Sequence, residues 1–305
     1  MDATPGFPIS GNPSVGLIGL GLMGSALAGR LFAAGFEVTG FDIDAVKRAE
    51  LERNGGGTTV SASDVFARCR AIVLALFDAS QIEAIFAELA PDVADPGTIL
   101  ICITTCAPER MVGLAHRAAD HRCFLIEAPI SGTSEQARDG SAAALIAGDP
   151  RAVQAVQPVL DALCPQQMFI GRIGDASRTK LAINLILQNN RAALAEGIAF
   201  AESMGLDATA FLAAARQSAA YSSVMDTKGA KMLARDFTPQ SHIAQTLKDA
   251  ELILDEARRQ SQTLPVTTVQ AALLRTTIAL LGGEVDSAAI VEAIRPSPGK
   301  RGSSR

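Results

Sequence analysis

The 305-residue sequence lacks the features that define several large classes of protein. Its net charge is −5, so it has no excess of basic residues for holding nucleic-acid phosphates, and we expect no nucleic-acid partner. Its five cysteines include no CxxC pair and are accompanied by only three histidines. That pattern argues against a zinc site or a disulfide framework, and we expect no metal.

Membrane and export signals are missing as well. No run reaches the roughly 18 apolar residues of a transmembrane helix, so we expect no membrane association. The first 14 residues have neither the basic region nor the apolar core of a signal peptide. These features are typical of a cytoplasmic protein.

What the sequence does contain is an alternation of short apolar strands with helical segments. This pattern predicts a doubly wound parallel sheet of the Rossmann type, covered by helices on both faces. From residue 174 onward only helical segments follow, which predicts an all-α second domain. We therefore expect a dinucleotide-binding domain at 14–174, a helical domain at 175–295 for substrate binding and dimerisation, and flexible tails at 1–13 and 296–305. The predicted strands are 15–20, 37–41, 71–76, 98–103, 123–126, 143–146 and 167–170. The helices predicted between them include 62–68 and 151–163, and residues 127–140 are predicted to form a loop.

A long helix is predicted to join the two domains. It begins after Gly174, ends near Gly205 and contains no proline. Its surface is mostly apolar, which indicates burial, but one face carries a stripe of polar residues at helical spacing. A lysine and an asparagine one turn apart in that stripe suggest a site. The members of the stripe are Lys180, Asn184, Gln188, Arg191 and Glu202.

The first strand is followed by a glycine-rich turn that opens a helix. Gly19, Gly21 and Gly24 fit the G-x-G-x-x-G pattern, in which the glycines permit a tight turn, close approach of a pyrophosphate and close helix packing. We expect all six residues of this turn to border the cofactor: Gly19, Leu20, Gly21, Leu22, Met23 and Gly24.

An acidic residue ends the second strand, at the position that binds an adenosine ribose. Asp42 lies 18 residues after Gly24 and is followed by Ile43 rather than by a basic residue. A carboxylate there repels the 2′-phosphate of NADP, so NAD is the expected cofactor and NADP the less favoured one. Lys47 and Arg48 stand close by in the sequence and weaken that preference.

Three segments in this order resemble the signatures of the β-hydroxyacid dehydrogenases. They are GLIGLGLMG at 16–24, APISG at 128–132 and G-x-x-x-x-x-K-x-x-x-N at 174–184, and the similarity extends over 15–294. The family includes 3-hydroxyisobutyrate dehydrogenase and tartronate semialdehyde reductase, with 6-phosphogluconate dehydrogenase as a larger relative.

The resemblance assigns Lys180 the role of catalytic acid and base. A lysine can do this chemistry if burial and neighbouring charge lower its pKa toward neutrality. A cation in the first turns of a helix is disfavoured by the helix dipole, which argues against a merely structural lysine. Asn184, one turn later, can orient the substrate hydroxyl or hold the lysine.

Further positions follow from the same resemblance. Ser131, Gly132 and Thr133 correspond to the segment that binds the substrate carboxylate. Independently of the resemblance, Gln188 is expected to contribute to specificity because it continues the polar stripe, with Tyr221 and His242 as weaker candidates. Thr133 stands where the family commonly has glycine, and Glu127 where it commonly has aspartate. The remaining expected cofactor contacts are Leu76, Phe77, Gln81, Thr105 and Lys248.

Together these features predict an NAD-dependent enzyme that transfers a hydride between a small 3-hydroxy carboxylate and the nicotinamide. Two alternatives remain open. One is an imine reductase-like NADPH enzyme, against which Lys180 argues. The other is a dinucleotide-binding module without catalytic activity. The apolar second domain predicts a homodimer or a dimer-based tetramer.

Overall fold

The structure is a computed structural model that describes residues 14–295. The tails predicted at 1–13 and 296–305 lie outside the described residues. The fold comprises two compact units, the first ending at Lys180 and the second beginning at Leu181. We call them the sheet unit and the helical unit.

The sheet unit contains a nine-stranded sheet whose first half is parallel, as the sequence predicts. Along the sheet the strand order is β3-β2-β1-β4-β5-β6-β8-β7, and β9 pairs with β8 in parallel. Only β8 runs antiparallel to its neighbours β6 and β7. The strands are β1 (Ser14–Ile18), β2 (Glu37–Phe41), β3 (Gly57–Thr58), β4 (Ala71–Leu74), β5 (Ile99–Cys102), β6 (Phe124–Glu127), β7 (Ile130–Ser131), β8 (Ala143–Ala147) and β9 (Gln166–Gly171).

Helices cover both faces of this sheet, because its central strands are apolar throughout. Strands β4 and β5 are buried at every position, and two separate clusters of buried side chains pack against the two faces. The helices of this unit are α1 (Leu22–Ala33), α2 (Ala45–Arg53), α3 (Ala62–Arg68), α4 (Ala79–Glu88), α5 (Pro108–Asp120), α6 (Ser134–Asp139), α7 (Pro150–Ala155) and α8 (Gln157–Leu163).

Two predicted segments of the sheet unit differ from the structure. The predicted loop at 127–140 contains strand β7 and helix α6, and the helix predicted at 151–163 is divided into α7 and α8. Pro158 explains the division, because proline has no N–H to donate to Gln154 and its ring disturbs the preceding turn.

Helix α9 (Asp175–Ser203) is the long helix that the sequence predicts. The division between the two units falls within its first two turns. The sequence places the domain boundary at 174–175, at the foot of the same helix, and that boundary stays a prediction.

The helical unit packs around apolar residues of α9 and of the helices that follow. Leu194 and Ile198 of α9 are buried in its core together with Met232, Ile243 and Leu274. None of the helices within residues 14–295 is long and apolar enough to cross a membrane. The remaining elements are α10 (Ala208–Arg216), α11 (Val224–Ala234), α12 (Ile243–Arg259), α13 (Pro265–Leu281) and a 3-10 helix (Ser287–Ala293).

Candidate active site

The glycine-rich turn lies between β1 and α1, and its three glycines have three different reasons to be there. Gly19 has φ +94°, and a Cβ on it would lie 2.3 Å from the carbonyl oxygen of Ala75. A Cβ on Gly24 would lie 2.0 Å from the carbonyl oxygen of Gly19. A Cβ on Gly21 would meet nothing within 4 Å. Gly19 and Gly24 are therefore required by contacts within the protein, whereas Gly21 leaves open space for a ligand.

Asp42 joins this turn to the end of β2. Its Oδ2 accepts a hydrogen bond from the N–H of Leu20 (2.8 Å), and its Oδ1 accepts one from the N–H of Asp44 (2.9 Å). Helix α2 also brings the Nζ of Lys47 to 3.8 Å from the Asp42 carboxylate. Arg48 donates to the backbone carbonyl of Asp42 (2.6 Å). No basic residue is adjacent to Asp42 in the sequence, but the first turn of α2 places two, Lys47 and Arg48, in contact with it.

The ends of β4 and β5 meet beside the glycine-rich turn. Thr104, which is buried, accepts from the N–H of Leu76 (3.1 Å) and donates to its carbonyl, so its hydroxyl ties the two strand ends together. Phe77, which is 42% exposed, donates its N–H to the side chain of Gln81 (2.9 Å). Thr105, expected to contact the cofactor, is half-buried next to Thr104. The sequence favours Thr105 over Thr104 as the cofactor contact, and Thr104 is the residue that joins the strand ends.

The segment expected to bind the substrate carboxylate follows β7. A Cβ on Gly132 would lie 2.8 Å from the Cβ of Ala142, which accounts for glycine there. Thr133 has φ −82° and is the N-cap of α6. Its hydroxyl accepts from the N–H of Gln136 (3.2 Å), and its own N–H donates to the Gln136 side chain (2.9 Å). This capping box uses the N–H of Thr133 and leaves only its hydroxyl to donate to a carboxylate, so Ser131 and Gly132 are the better candidates.

Lys180 points back toward that segment. It is 6% exposed, and its Nζ donates a hydrogen bond to the carbonyl oxygen of Ile130 (2.7 Å), immediately before Ser131. Two elements of the sheet unit that are distant in sequence, β7 and the second turn of α9, thus bring the predicted acid-base residue to the predicted carboxylate site.

Glu127, at the end of β6, holds the first turn of α9. Its carboxylate is completely buried and accepts from the N–H groups of Gly174 and Ser177 (2.8 Å for Ser177) and from the Ser177 hydroxyl. Burial raises the pKa of Glu127, and the hydrogen bonds from Ser177 and Gly174 oppose the shift. A carboxylate at a helix N-terminus satisfies free N–H groups and complements the dipole. The sequence showed only that glutamate replaces the usual aspartate here.

Asn184 lies in the helical unit, where it contacts α12. Its Nδ2 donates to Oδ2 of Asp249 (2.9 Å), and both residues are buried. Lys248, an expected cofactor contact, lies beside them with its Nζ 2.9 Å from Oδ1 of Asp249. Asp249 therefore connects two residues that the sequence singled out separately.

The rest of the polar stripe divides along the helix. Gln188 and Arg191 are buried, whereas Glu202 is exposed and pairs with Arg295 (2.5 Å). The two weaker specificity candidates each have a hydrogen-bond partner, and their role in specificity stays a prediction. Tyr221 is 52% exposed and donates to Asp226 (2.7 Å), and the His242 ring is hydrogen-bonded to the backbone carbonyl of Glu284 (2.7 Å). Within residues 14–295 no group of three or more His, Cys, Asp or Glu side chains is arranged to hold a metal ion.

Sequence comparison matches one family model to residues 14–171 and another to residues 174–294. The first is described as the NAD binding domain of 6-phosphogluconate dehydrogenase, and the second as the NAD-binding of NADP-dependent 3-hydroxyisobutyrate dehydrogenase. The fold and the glycine-rich turn thus define an oxidoreductase that binds NAD(P). The chain belongs to the β-hydroxyacid dehydrogenase family.

Individual relatives agree with this assignment. A probable 3-hydroxyisobutyrate dehydrogenase-like protein of Arabidopsis thaliana is 32% identical over 55% of this chain, and the match spans half the length of that relative. L-threonate dehydrogenase of Cupriavidus necator is 29% identical over 77% of this chain and 81% of its own.

Solved structures share the fold. A 3-hydroxyisobutyrate dehydrogenase from Salmonella typhimurium superposes with a TM-score of 0.85 at 24% identity, covering 92% of this chain and 99% of the other. An imine reductase from Pseudomonas sp. superposes with a TM-score of 0.67 at 23% identity, and the alignment covers 93% of this chain and 100% of the other. At these identities the likeness concerns the fold alone.

Proposed function

We propose that this chain is an NAD-dependent dehydrogenase of small 3-hydroxy carboxylates, with Lys180 as the general acid and base. The observation that carries the proposal is the position of the Lys180 amine. It is buried and lies 2.7 Å from the carbonyl oxygen of Ile130, one residue before the Ser131–Gly132 segment. A buried proton carrier next to a carboxylate site is what oxidation of a hydroxy acid requires.

The glycine-rich turn fits a dinucleotide. A Cβ added to Gly21 would meet no protein atom within 4 Å, so there is open space next to this residue. The N-terminus of α1 has no side-chain cap. Free N–H groups and the positive end of the helix dipole suit a pyrophosphate at that point. Once bound, NAD would supply the hydride acceptor, the C4 atom of the nicotinamide.

Groups of the protein bind the substrate, transfer its proton and orient its hydroxyl. The Ser131 hydroxyl and the backbone of Gly132 are suited to hold the substrate carboxylate. Lys180 takes the proton of the substrate hydroxyl in oxidation and returns it to the carbonyl oxygen in reduction. The hydrogen bond from Asn184 to Asp249 fixes the Asn184 amide, whose second N–H can donate to the oxygen of the hydroxyl and orient it.

The preference for NAD rests on Asp42 and is a separate proposal. A carboxylate at the end of β2 disfavours a 2′-phosphate, although Lys47 and Arg48 reduce the difference. We expect kcat/KM to be higher with NAD than with NADP. We also expect Asp42→Ala to reduce or reverse the ratio, since Lys47 would then be free to bind the phosphate. A higher kcat/KM with NADP in the wild type would contradict the preference.

Replacement of Lys180 tests the mechanism directly. Lys180→Met keeps the apolar stem and removes the amine, and we expect kcat to fall at least about 100-fold. NADH binding, followed by fluorescence, should remain within about twofold of the wild type. Arg178→Met is the matched control, because Arg178 lies on the same turn, is exposed and pairs only with Asp175 (2.8 Å). A Lys180→Met enzyme with kcat within tenfold of the wild type would refute the mechanism.

A substrate panel separates this proposal from its alternatives. It should contain small 3-hydroxy acids such as hydroxyisobutyrate, glycerate, serine and threonate, with cyclic imines beside them. Turnover of imines alone would indicate an imine reductase. NADH binding with no turnover of any compound would indicate a module without catalytic activity. Neither alternative is favoured by a contact described above.

We also propose that the chain forms a homodimer or a dimer-based tetramer through its helical unit. Large apolar side chains on α9 and α13 are more than half exposed, and such patches mark association surfaces. They include Ile186, Phe200, Val266, Val269 and Leu280. In the same unit, α9, α10 and α11 line an open, mostly apolar groove of about 430 Å³. Sedimentation at micromolar concentration should give at least twice the mass of the chain, and a monomer would contradict the proposal.

A further inference from the structure

In the segment that follows β7, a side chain occupies one of the backbone donors. The N–H of Thr133 donates to Oε1 of Gln136 (2.9 Å), and the N–H of Gln136 donates to the Thr133 hydroxyl (3.2 Å). Together the two bonds form the capping box of α6, so this short helix needs no ligand at its N-terminus. The backbone N–H of Thr133 is therefore not available to a substrate carboxylate, although it belongs to the segment proposed to bind one.

The capping box also fixes which way the Gln136 amide points. A backbone N–H can only donate, so the atom that faces Thr133 has to be the amide oxygen and not the nitrogen. The NH2 group is attached to the same carbon, and it therefore lies within a few ångströms of Thr133. It has no hydrogen-bond partner among the residues that the structure describes. The Gln136 side chain thus carries two N–H donors that the fold does not use.

These donors lie beside the residues expected to hold the substrate. The Cβ of Gln136 is 3.4 Å from the place that a Cβ on Gly132 would occupy. Gly132 is exposed, whereas Ser131, Thr133 and Gln136 are half-buried beside it. A ligand that rests on the backbone of Gly132 is therefore within reach of the Gln136 amide.

The backbone of Gln136 is held in place from the opposite side. Its carbonyl oxygen accepts from the N–H groups of Ser141 (2.9 Å) and Ala142 (3.0 Å), and Ala142 is 1% exposed. The Cβ of the same alanine lies 2.8 Å from the place that a Cβ on Gly132 would occupy. Because Gln136 and Gly132 both rest on Ala142, the amide has a defined position relative to the candidate carboxylate site.

We propose that Gln136 is a substrate-binding residue that determines specificity, and that its Nε2 donates to the substrate carboxylate beside the Ser131 hydroxyl. Its N–H groups replace the backbone N–H that Thr133 donates within the capping box. Two donors at this place select a ligand group that offers acceptor oxygens, such as a carboxylate. The inference rests on the proposed dehydrogenase activity, and it adds a residue that binds the carboxylate end of the substrate while Lys180 acts at the alcohol.

Gln136→Glu separates a binding role from a structural one. Glutamate serves in a capping box as well as glutamine does, so the thermal midpoint should stay within about 1 °C of the wild type. The NH2 group becomes an oxygen that carries negative charge and repels a carboxylate at short range. Calorimetry with the NADH-loaded protein, which cannot oxidise the ligand, measures binding of glycerate and hydroxyisobutyrate. We expect their dissociation constants to rise about tenfold or more in this variant.

Two controls isolate the effect of charge at the site. Methyl esters of the same acids keep the hydroxyl but have no charge, so Gln136→Glu should change their dissociation constants less than about twofold. Gln154→Glu adds the same charge elsewhere in the sheet unit, since Gln154 is exposed on α7. This control variant should bind the acids and the esters like the wild type.

Gln136→Met removes the two donors without adding a charge. It also removes the acceptor of the capping box, so the thermal midpoint should fall. The N–H of Thr133 is then released and can donate to the carboxylate, so we expect acid binding to weaken only about threefold. A residue that acted only through the fold of α6 would give the reverse order, with the larger loss of binding for methionine and none for glutamate.

Kinetics and binding together decide the outcome. For an acid that the wild type oxidises, Gln136→Glu should raise KM about tenfold or more and change kcat less than about threefold. Unchanged acid binding in this variant, or equal losses for acids and esters, would overturn the role of Gln136 and leave the dehydrogenase proposal standing. A loss confined to the acids, in a protein that oxidises no hydroxy acid, would support Gln136 and overturn the dehydrogenase. A wild type that binds neither acid would overturn the carboxylate site and Gln136 with it.

Discussion

The sheet unit and the helical unit place their polar groups in different ways. In the sheet unit the groups that face the candidate site are mostly backbone amides at strand ends, held by short side chains such as Asp42 and Thr104. In the helical unit the buried polar groups are long side chains along helices, such as Arg191, Lys228 and Asp249. Backbone groups are fixed by the fold itself, whereas buried side chains depend on one another for their hydrogen bonds and charges.

This difference decides which substitutions are tolerated. A change in the sheet unit matters where it moves the backbone or fills the space of a ligand. A change in the helical unit matters where it removes one member of a buried pair, because the remaining member then stays buried and unsatisfied. Glu127 is the exception, since it is a buried carboxylate of the sheet unit.

The largest effect is expected at the Lys228–Asp286 pair. Asp286 accepts from Lys228 (2.8 Å) and from the N–H groups of Gln240 (2.8 Å) and Ala288 (2.9 Å). Asp286→Asn leaves the Lys228 charge buried without its counter-ion, and we expect the free energy of unfolding to fall by about 3–5 kcal/mol. Urea denaturation followed by circular dichroism measures the change. A loss below about 1 kcal/mol would show that buried charges here do not depend on one another.

The control and the pH dependence sharpen this result. Glu251→Gln removes the exposed partner of Arg275 and should leave the urea midpoint near the wild-type value. Burial alone would raise the pKa of Asp286, but Lys228 and the N–H groups outweigh it and hold that pKa below its usual range. The stabilisation is therefore present above the ordinary aspartate pKa of about 4 and is lost as the pH falls below it. Asp286→Asn should lack this part of the acid sensitivity.

A smaller effect is expected at Glu127, a buried side chain that accepts hydrogen bonds from backbone N–H groups. Glu127→Gln presents an NH2 group to donors of the α9 N-terminus, and an unsatisfied buried group costs about 1–3 kcal/mol. Because Lys180 lies on the next turn of α9, we expect kcat to fall about tenfold while the KM for NADH changes less than twofold.

Glu127→Asp provides the rescue for this variant. It keeps the charge and the acceptors and shortens the side chain by one methylene, so most of kcat should return. If Glu127→Gln lowers stability without lowering kcat, the carboxylate supports the fold of the sheet unit and does not position Lys180.

The same contrast between the units explains what the sequence could predict. Strand 37–41 and helix 62–68 were predicted with the bounds that the structure has, because their signals are local, such as the N-cap of the helix at Ser61. The glycine-rich turn was predictable for the same reason, since its glycines are required by local contacts of a β-α unit. The capping box of Thr133 and Gln136 was also readable from its spacing, although we predicted a loop there.

Long-range partners could not be predicted. Glu127 and Ser177 are 50 residues apart, and Asn184 and Asp249 are 65 residues apart. Nothing in either sequence neighbourhood specifies the other, and only packing brings them together. Sequence reasoning therefore identified Lys180 and Asn184 as candidates, but it did not show what holds them in place.

The smallest effect is expected at two glycines of the same helix region. Gly21 and Gly29 each have no protein atom within 4 Å of a built Cβ, so alanine fits at both positions without a clash. Gly29→Ala should bind NADH like the wild type, because this residue is on the exposed side of α1, and should gain about 0.5–1 kcal/mol in stability. Gly21→Ala places a methyl group where a pyrophosphate would lie, and should weaken NADH binding about tenfold with the fold intact. Fluorescence titration of the two variants measures the difference. If the two variants bind NADH equally well, the open space at Gly21 is not a ligand site, and the backbone of the glycine-rich turn has another role.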